Sequence, residues 1–237
     1  MAGAGSRAHV FVADVGSPVL DPADRHHLER VLRLRPGDEI TVSDGAGGWR
    51  LCRLGDPLEP VDAVAADPRP KPPVGVAFGL TKGERPEWAV QKLTELGADR
   101  IVPFTAERSV VRWTPDRAAT HAERWRRIAR EAASQSRRTW LPEVEDVQTF
   151  ADLMKRPGAV LAHPGAGPPR LGAGVVLVGP EGGWSDNELA EAAAAGVPFV
   201  GLGPHVLRAE TAAMAATALL CGLRAGVVAA VPGRPES

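Results

Sequence analysis

Val175-Val176-Leu177-Val178-Gly179-Pro180-Glu181-Gly182-Gly183 is a short apolar run closed by a glycine-rich turn, and the pattern recurs about twenty residues on. The second copy reads Phe199-Val200-Gly201-Leu202-Gly203-Pro204-His205-Val206-Leu207-Arg208-Ala209-Glu210-Thr211 and leads into an alanine-rich segment. Four apolar residues bounded by turn signals predict a buried strand. Glycine has no Cβ, so the backbone of such a turn can approach a ligand closely. Two such turns at the carboxyl ends of neighbouring strands are where an α/β protein holds a small molecule. The first turn alone equally suits a plain strand-to-helix connection. The second adds Glu210-Thr211 opening a helix, whose free N–H groups suit an anionic or strongly polar ligand group.

Working outward, residues 71–237 alternate apolar strands with amphipathic helices, which predicts a parallel sheet covered on both faces. Strands are expected at Val74–Leu80, Arg100–Phe104, Ala159–Ala162, Val175–Val178 and Phe199–Leu202. Helices are expected from Pro86 to a stop at Gly97, over Arg117–Ser136, from a Ser185/Glu188 capping box to Gly196, and from about Ala209. Prolines at 57, 60, 68, 70, 72 and 73 read as a linker. The preceding residues 1–70 read as short strands (His9–Val12, Glu39–Ser43, Trp49–Leu54) around a helix over Asp24–Leu34, a small barrel-like module. Its Asp44-Gly45-Ala46-Gly47-Gly48 segment is a hairpin turn.

Composition narrows the function. The chain of 237 residues is 44% hydrophobic and 24% charged, the balance of a globular protein with a real core. A net charge of -1 gives no global basic field, so a nucleic-acid contact must come from local patches. Cys52 and Cys221 lie far apart and read as small buried hydrophobes in a reducing compartment. No His/Cys/Asp cluster has metal-ligand spacing, and the adjacent His26-His27 would diverge on a helix, so no metal is expected. Met1–Ser6 lacks a signal-peptide layout, and Ala212–Val231, interrupted by Gly222 and Arg224, reads as a buried helix. A cytoplasmic location is expected. No P-loop pattern occurs, and Gly201-x-Gly203 lacks the third glycine of a dinucleotide fingerprint.

The two turns, Val178-Gly-Pro-Glu-Gly-Gly183 and Leu202-Gly-Pro-His-Val-Leu-Arg-Ala-Glu-Thr-Ala212, resemble the carboxyl-terminal signatures of the SPOUT-superfamily methyltransferases that modify N3 of a uridine in small-subunit ribosomal RNA. Lys82-Gly83-Glu84 with Trp88, Gln91-Lys92, Thr94-Glu95-Leu96-Gly97 and Glu107-Arg108-Ser109 resemble that family's central motifs. His26-His27-Leu28, Arg30-Val31-Leu32-Arg33 and Pro36-Gly37-Asp38 resemble its amino-terminal module. The resemblance covers most of the chain, in order. It implies a PUA-like β-barrel (1–70), a trefoil-knotted α/β methyltransferase domain (71–237), S-adenosylmethionine as methyl donor, and a homodimer. One segment departs: where the family carries Glu-Gln-Ser/Cys-Gly-Arg, this chain has Ser134-Gln135-Ser136-Arg137-Arg138.

The resemblance implies that the donor is held by Leu161, His163, Val178, Gly179, Glu181, Gly182, Leu202, Gly203, Val206, Leu207, Arg208, Thr211 and Ala212. Leu161, Leu202 and Leu207 would sandwich adenine, and Thr211 at a helix start would receive the carboxylate. Uracil N3 carries a weakly acidic proton that must leave before the nitrogen attacks. Arg208 is the candidate cation for the charge on the carbonyl oxygens, and Glu181 is a candidate proton acceptor or equally a loop cap. Glu210 reads as a structural first-turn carboxylate, and Trp88 and Trp113 as core. Since N3 is hidden in a duplex, the base must be unpaired or extruded, and binding must rest on phosphates. Candidate RNA contacts are Arg25, Arg30, Arg33, Lys82, Lys92, Arg108, Arg127, Arg130, Gln135, Arg137 and Arg138; Glu123 and Glu131 are too few to balance the arginines of the 117–138 helix. Two rivals stay open: the same fold acting on another RNA position such as a ribose hydroxyl, and a catalytically silent ribosome-associated RNA-binding factor. The Asn-x-Gly segment of ribose methylators does not precede Val110.

Overall fold

The structure, a computed structural model, describes residues 5–229. The first residues of the amino terminus and the last two of the apolar Ala212–Val231 stretch lie outside the described residues. The chain divides into two compact units, one of residues up to Pro70 with Ala129–Leu141, the other of Lys71–Ile128 with the residues from Pro142.

The first unit is built on strands β1 (Ala8–Phe11), β2 (Glu39–Ser43), β3 (Gly48–Arg53), β4 (Glu59–Pro60) and β5 (Ala65–Ala66). β1 runs parallel to β2, and β2 antiparallel to β3 through the 44–48 turn, where Asp44 Oδ1 accepts the N–H groups of Ala46 and Gly48. Val10, Leu28, Leu34, Ile40, Val42 and Cys52 are among its buried core. The helix expected over Asp24–Leu34 is instead a short α1 (Pro22–His26) followed by a π-helical turn over His27–Val31, closed by a Leu32 N–H to His27 carbonyl bond. The wider turn rotates the side chains, so Leu28 and Leu34 are buried while Val31 and Leu32 are 61% and 45% exposed. Residues 129–141, which the sequence division left with the second domain, belong here. Their anchors explain why: Arg130 donates to the Phe11 carbonyl, Arg137 to Ser6, and Thr139 to Asp67.

The second unit holds β6 (Gly75–Gly79), α2 (Arg85–Leu96), β7 (Arg100–Thr105), α3 (Pro115–Gln135, its last turns in the first unit), β8 (Glu143–Val144), β9 (Gln148–Thr149), α4 (Phe150–Met154), β10 (Ala159–Ala162), β11 (Val175–Val178), α5 (Asp186–Ala194), β12 (Phe199–Val200) and α6 (Ala209–Arg224). Every strand pair is parallel, in the order β12-β10-β11-β6-β7-β8, with β9 also on β7. Because the central strands are covered on both faces they read as unbroken apolar runs; all four residues of β11 are buried. Ala77, Val102, Leu161 and Leu177 join Leu153 and Ala192 of α4 and α5 in one core cluster, while α6 packs on β6, β11 and α2. Pro86 in the first turn and a left-handed Gly97 (φ 100°) bound α2 as the sequence predicts. The expected strand at Phe199–Leu202 stops at Val200, so Leu202 lies in the turn.

Candidate active site

The turn after β11 is set by its glycines and by Trp184. The Gly183 N–H donates to the Pro180 carbonyl at 2.8 Å, with Gly183 at φ 68°. Trp184 is buried and its Nε1–H donates to the Ala162 carbonyl at 2.9 Å, tying this turn to the end of β10. A Cβ on Gly179 would sit 3.1 Å from the Trp184 ring, and one on Gly201 would sit 2.2 Å from the Ala166 carbonyl oxygen. Gly201 therefore admits only glycine, while a side chain at Gly179 would require the Trp184 ring to give way by a few tenths of an ångström. The His163 N–H donates to the Val200 carbonyl, which sets the start of the second turn beside β10. That turn ends at Arg208, the extended N-cap residue of α6.

Between the turns lies a cavity of about 380 Å³. Of the residues expected to hold the donor, His163, Val178, Gly179, Glu181, Leu202, Gly203, Val206, Leu207, Arg208 and Ala212 line it. Ala162, Pro164, Pro180, Gly183, Trp184, His205 and Ala209 also line it and were not singled out from the sequence, although most sit inside the quoted stretches. Three of the expected residues, Leu161, Gly182 and Thr211, do not line it. Leu161 is fully buried in the sheet core, because strand alternation points it away from the cavity that its neighbour Ala162 lines. Gly182 does not line the cavity and faces Arg108, whose Cβ would lie 3.1 Å from a Cβ there. Thr211 is exposed, on a side of α6 away from the cavity-lining Ala209 and Ala212.

The walls suit an adenosyl group extended by an amino-acid tail. Val178, Leu202, Val206 and Leu207 give apolar surface, and the glycine turns expose main-chain N–H and C=O groups. The first intrahelical bond of α6 runs from the Ala212 N–H to the Arg208 carbonyl, which leaves the preceding N–H groups for an anion. Arg208 has no ion-pair or hydrogen-bond partner among the described residues. Glu181, in contrast, is ion-paired with Arg85 of α2. Glu210 is buried, and its Oε2 has no hydrogen-bond partner.

Glu107 and Ser109, part of the central motif, support this frame. Glu188 Oε1 accepts the Glu107 N–H and its Oε2 accepts the Ser185 N–H, while Ser185 Oγ donates to Glu107. Ser109 Oγ accepts the Ala106 N–H. The expected capping box thus anchors the β7–α3 connection as well as α5.

The candidate RNA contacts are placed unevenly. Arg30, Arg33, Lys82 and Arg127 are exposed with no ion pair. Arg25 pairs with Glu29 and Asp56, Lys92 with Glu95, and Arg130 with Asp24; Arg108 donates to the Gly182 carbonyl and Arg137 to Ser6. Gln135 is exposed and Arg138 half-buried. Helix α3 is also better balanced than its own acids suggest, since Glu87 and Asp146 from elsewhere take Arg124 and Arg126. Trp88, expected in the core, is 45% exposed. Trp113 is half-buried and stacks on His121, with ring centroids 4.0 Å apart.

An open parallel α/β sheet with a nucleoside-sized cavity between glycine turns defines a small-molecule-binding enzyme domain. Residues 68–221 match the RNA methyltransferase domain family, and residues 20–58 the RNA methyltransferase PUA domain. A ribosomal RNA small subunit methyltransferase E of Synechocystis sp. is 37% identical over 223 residues, covering 86% of this chain and 72% of that one. Its Bacillus subtilis counterpart is 34% identical, covering 79% and 82%. The crystal structure of the Neisseria gonorrhoeae enzyme bound to S-adenosyl methionine superposes with a TM-score of 0.75 at 30% identity, covering 89% of this chain and 95% of that one. The chain belongs to the ribosomal RNA small subunit methyltransferase E family of RNA methyltransferases.

Proposed function

We propose that this protein transfers a methyl group from S-adenosylmethionine to N3 of a uridine in small-subunit ribosomal RNA, as a cytoplasmic homodimer with the threaded carboxyl-terminal segment of its family. The observation that carries the reading is the cavity lined by both signature turns, with Arg208, partner-free among the described residues, in its wall. When bound, the donor supplies a methyl group on a sulfonium, a leaving group that needs no acid. The chain's work is therefore to hold donor and acceptor in line and to favour the imide anion. Leu202, Val206 and Leu207 hold the adenosyl part by apolar contact, and the start of α6 receives the carboxylate. Arg208 faces the charge that grows on a uracil carbonyl oxygen.

Mass mapping of ribosomal RNA from a deletion strain tests the reading. The expected result is one uridine lacking a base methyl, restored by the purified protein with S-adenosylmethionine. A full complement of base methyls, or a missing ribose methyl, refutes it. Calorimetry separates an enzyme from a silent RNA clamp, which takes up no donor.

A further inference from the structure

Glu181 lines the cavity and is ion-paired with Arg85 in the first turn of α2. The side chains of Arg85 and Glu181 are 43% and 36% exposed, so the pair is open to solvent, and Glu181, which lines the cavity, holds Arg85 next to that lining. The ion pair gives Glu181 a role other than that of a base, which is to hold Arg85. The pair makes more sense from the arginine's side. A guanidinium carries five N–H donors and a carboxylate engages two at most, which leaves donors for a second acceptor. Arg208 lines the same cavity without a partner among the described residues. One guanidinium, Arg208, thus lines the cavity at the start of α6, and a second, Arg85, is held by the cavity-lining Glu181.

Uracil N3 sits between two carbonyls, and the charge left when its proton departs is shared by O2 and O4. One cation neutralises one oxygen. We propose that Arg85, tethered by Glu181, donates to one imide carbonyl of the acceptor uracil while Arg208 donates to the other. The inference rests on the uridine-N3 reading. The N3 proton passes to solvent hydroxide, giving water. The electron pair left on N3 forms the N–CH₃ bond, and the sulfur–methyl bond breaks with its pair retained on sulfur. Anionic imide and sulfonium become neutral imide and thioether, and both arginines stay protonated throughout.

The test uses Arg85→Met and Arg85→Lys. Donor affinity, measured by calorimetry, should match the parent, while kcat falls about a hundredfold in Arg85→Met and much less in Arg85→Lys. Placing 5-fluorouridine, whose N3–H is more acidic, at the methylated position should recover most of the loss. A second readout needs no turnover: ¹⁹F NMR of that RNA bound to the protein follows N3 ionisation. The bound base should titrate at lower pH than the free RNA with the parent, and return toward the free value with Arg85→Met. Glu181→Gln should give the same changes in smaller degree. Undiminished kcat in Arg85→Met overturns the proposal, as does a loss that 5-fluorouridine leaves untouched while the titration stays put. If Arg85→Met melts early, Arg85→Lys carries the same two readouts. Methylation by the parent at a position other than uridine N3 would instead refute the functional reading, and mass mapping shows that before any variant is made.

Discussion

At the scale of single residues, charge and backbone conformation decide most of what can be tested. Arg208 lines the cavity without a partner, so Arg208→Ala removes a donor and leaves no buried carboxylate behind. Methyl transfer should fall about 10²–10³-fold with donor affinity preserved, and steady-state kinetics beside calorimetry will show whether the two separate. Arg137 adopts φ 57°, a left-handed conformation that favours glycine, within the segment that departs from the motif it resembles. Its guanidinium donates to Ser6 Oγ and to the Ser6 carbonyl, which explains how an arginine is tolerated there. His9 is buried, and its pKa is lowered to about 4 by desolvation, which outweighs the opposing effect of the Arg138 backbone; the nearby Arg137 charge adds a smaller lowering. No well-formed hydrogen bond reaches either ring nitrogen. The folded state thus prefers the neutral ring. Stability from this residue is complete above about pH 6.5 and is lost as pH falls toward 4, where the unfolded chain binds a proton that the folded one refuses. The loss is roughly 3 kcal/mol. In thermal melts across that window the parent should lose more stability than His9→Phe as pH falls; a constant difference between the two would show that His9 does not govern the acid limb.

Elements show what the sequence could and could not reveal. β10 and β11 match their predicted bounds because buried parallel strands are plain apolar runs, and α2 and α5 match because Pro86, Gly97 and the Ser185/Glu188 box mark their ends chemically. β8 and β9 have two residues each, too few for any periodicity to register, and were missed. The π-helical turn over His27–Val31 was missed because period counting assumes 3.6 residues per turn. Residues within the cavity were legible through glycine and through family motifs, whereas the orientation of Leu161 depended on strand register, which a run of four apolar residues does not encode. The Glu181–Arg85 pair joins residues nearly a hundred positions apart and leaves no local signal. The capping box offers the test at this scale. Ser185 Oγ accepts the Glu188 N–H and donates to Glu107, so Ser185→Ala loses a cap and frees a carboxylate of the β7–α3 connection. A loss of about 1–2 kcal/mol is expected in denaturant melts, with Ser185→Thr close to the parent. An unchanged midpoint in Ser185→Ala would mean that the network contributes nothing to stability.

For the whole molecule, the question is how a chain with a net charge of -1 could hold a polyanion. The count of arginines overstates its grip. Each cation already paired with a carboxylate must break that pair to meet a phosphate, so it contributes little net counterion release. If every cationic candidate engaged a phosphate on single-stranded RNA, affinity would fall about ten-thousandfold between 50 and 200 mM salt, at a slope of roughly 0.7 per contact. The exposed, partner-free set of Arg30, Arg33, Lys82 and Arg127 predicts far less. Four contacts give about a fiftyfold drop over the same range. Single alanine substitutions then sort the cations. Losing Arg30, Arg33, Lys82 or Arg127 should lower the slope by about 0.7, while Arg126→Ala, whose guanidinium already meets Glu123 and Asp146, should leave it alone. A much steeper salt dependence, or a slope that responds to Arg126→Ala, would show that RNA pulls the paired arginines away from their carboxylates and that the binding surface is wider than the unpaired charges indicate.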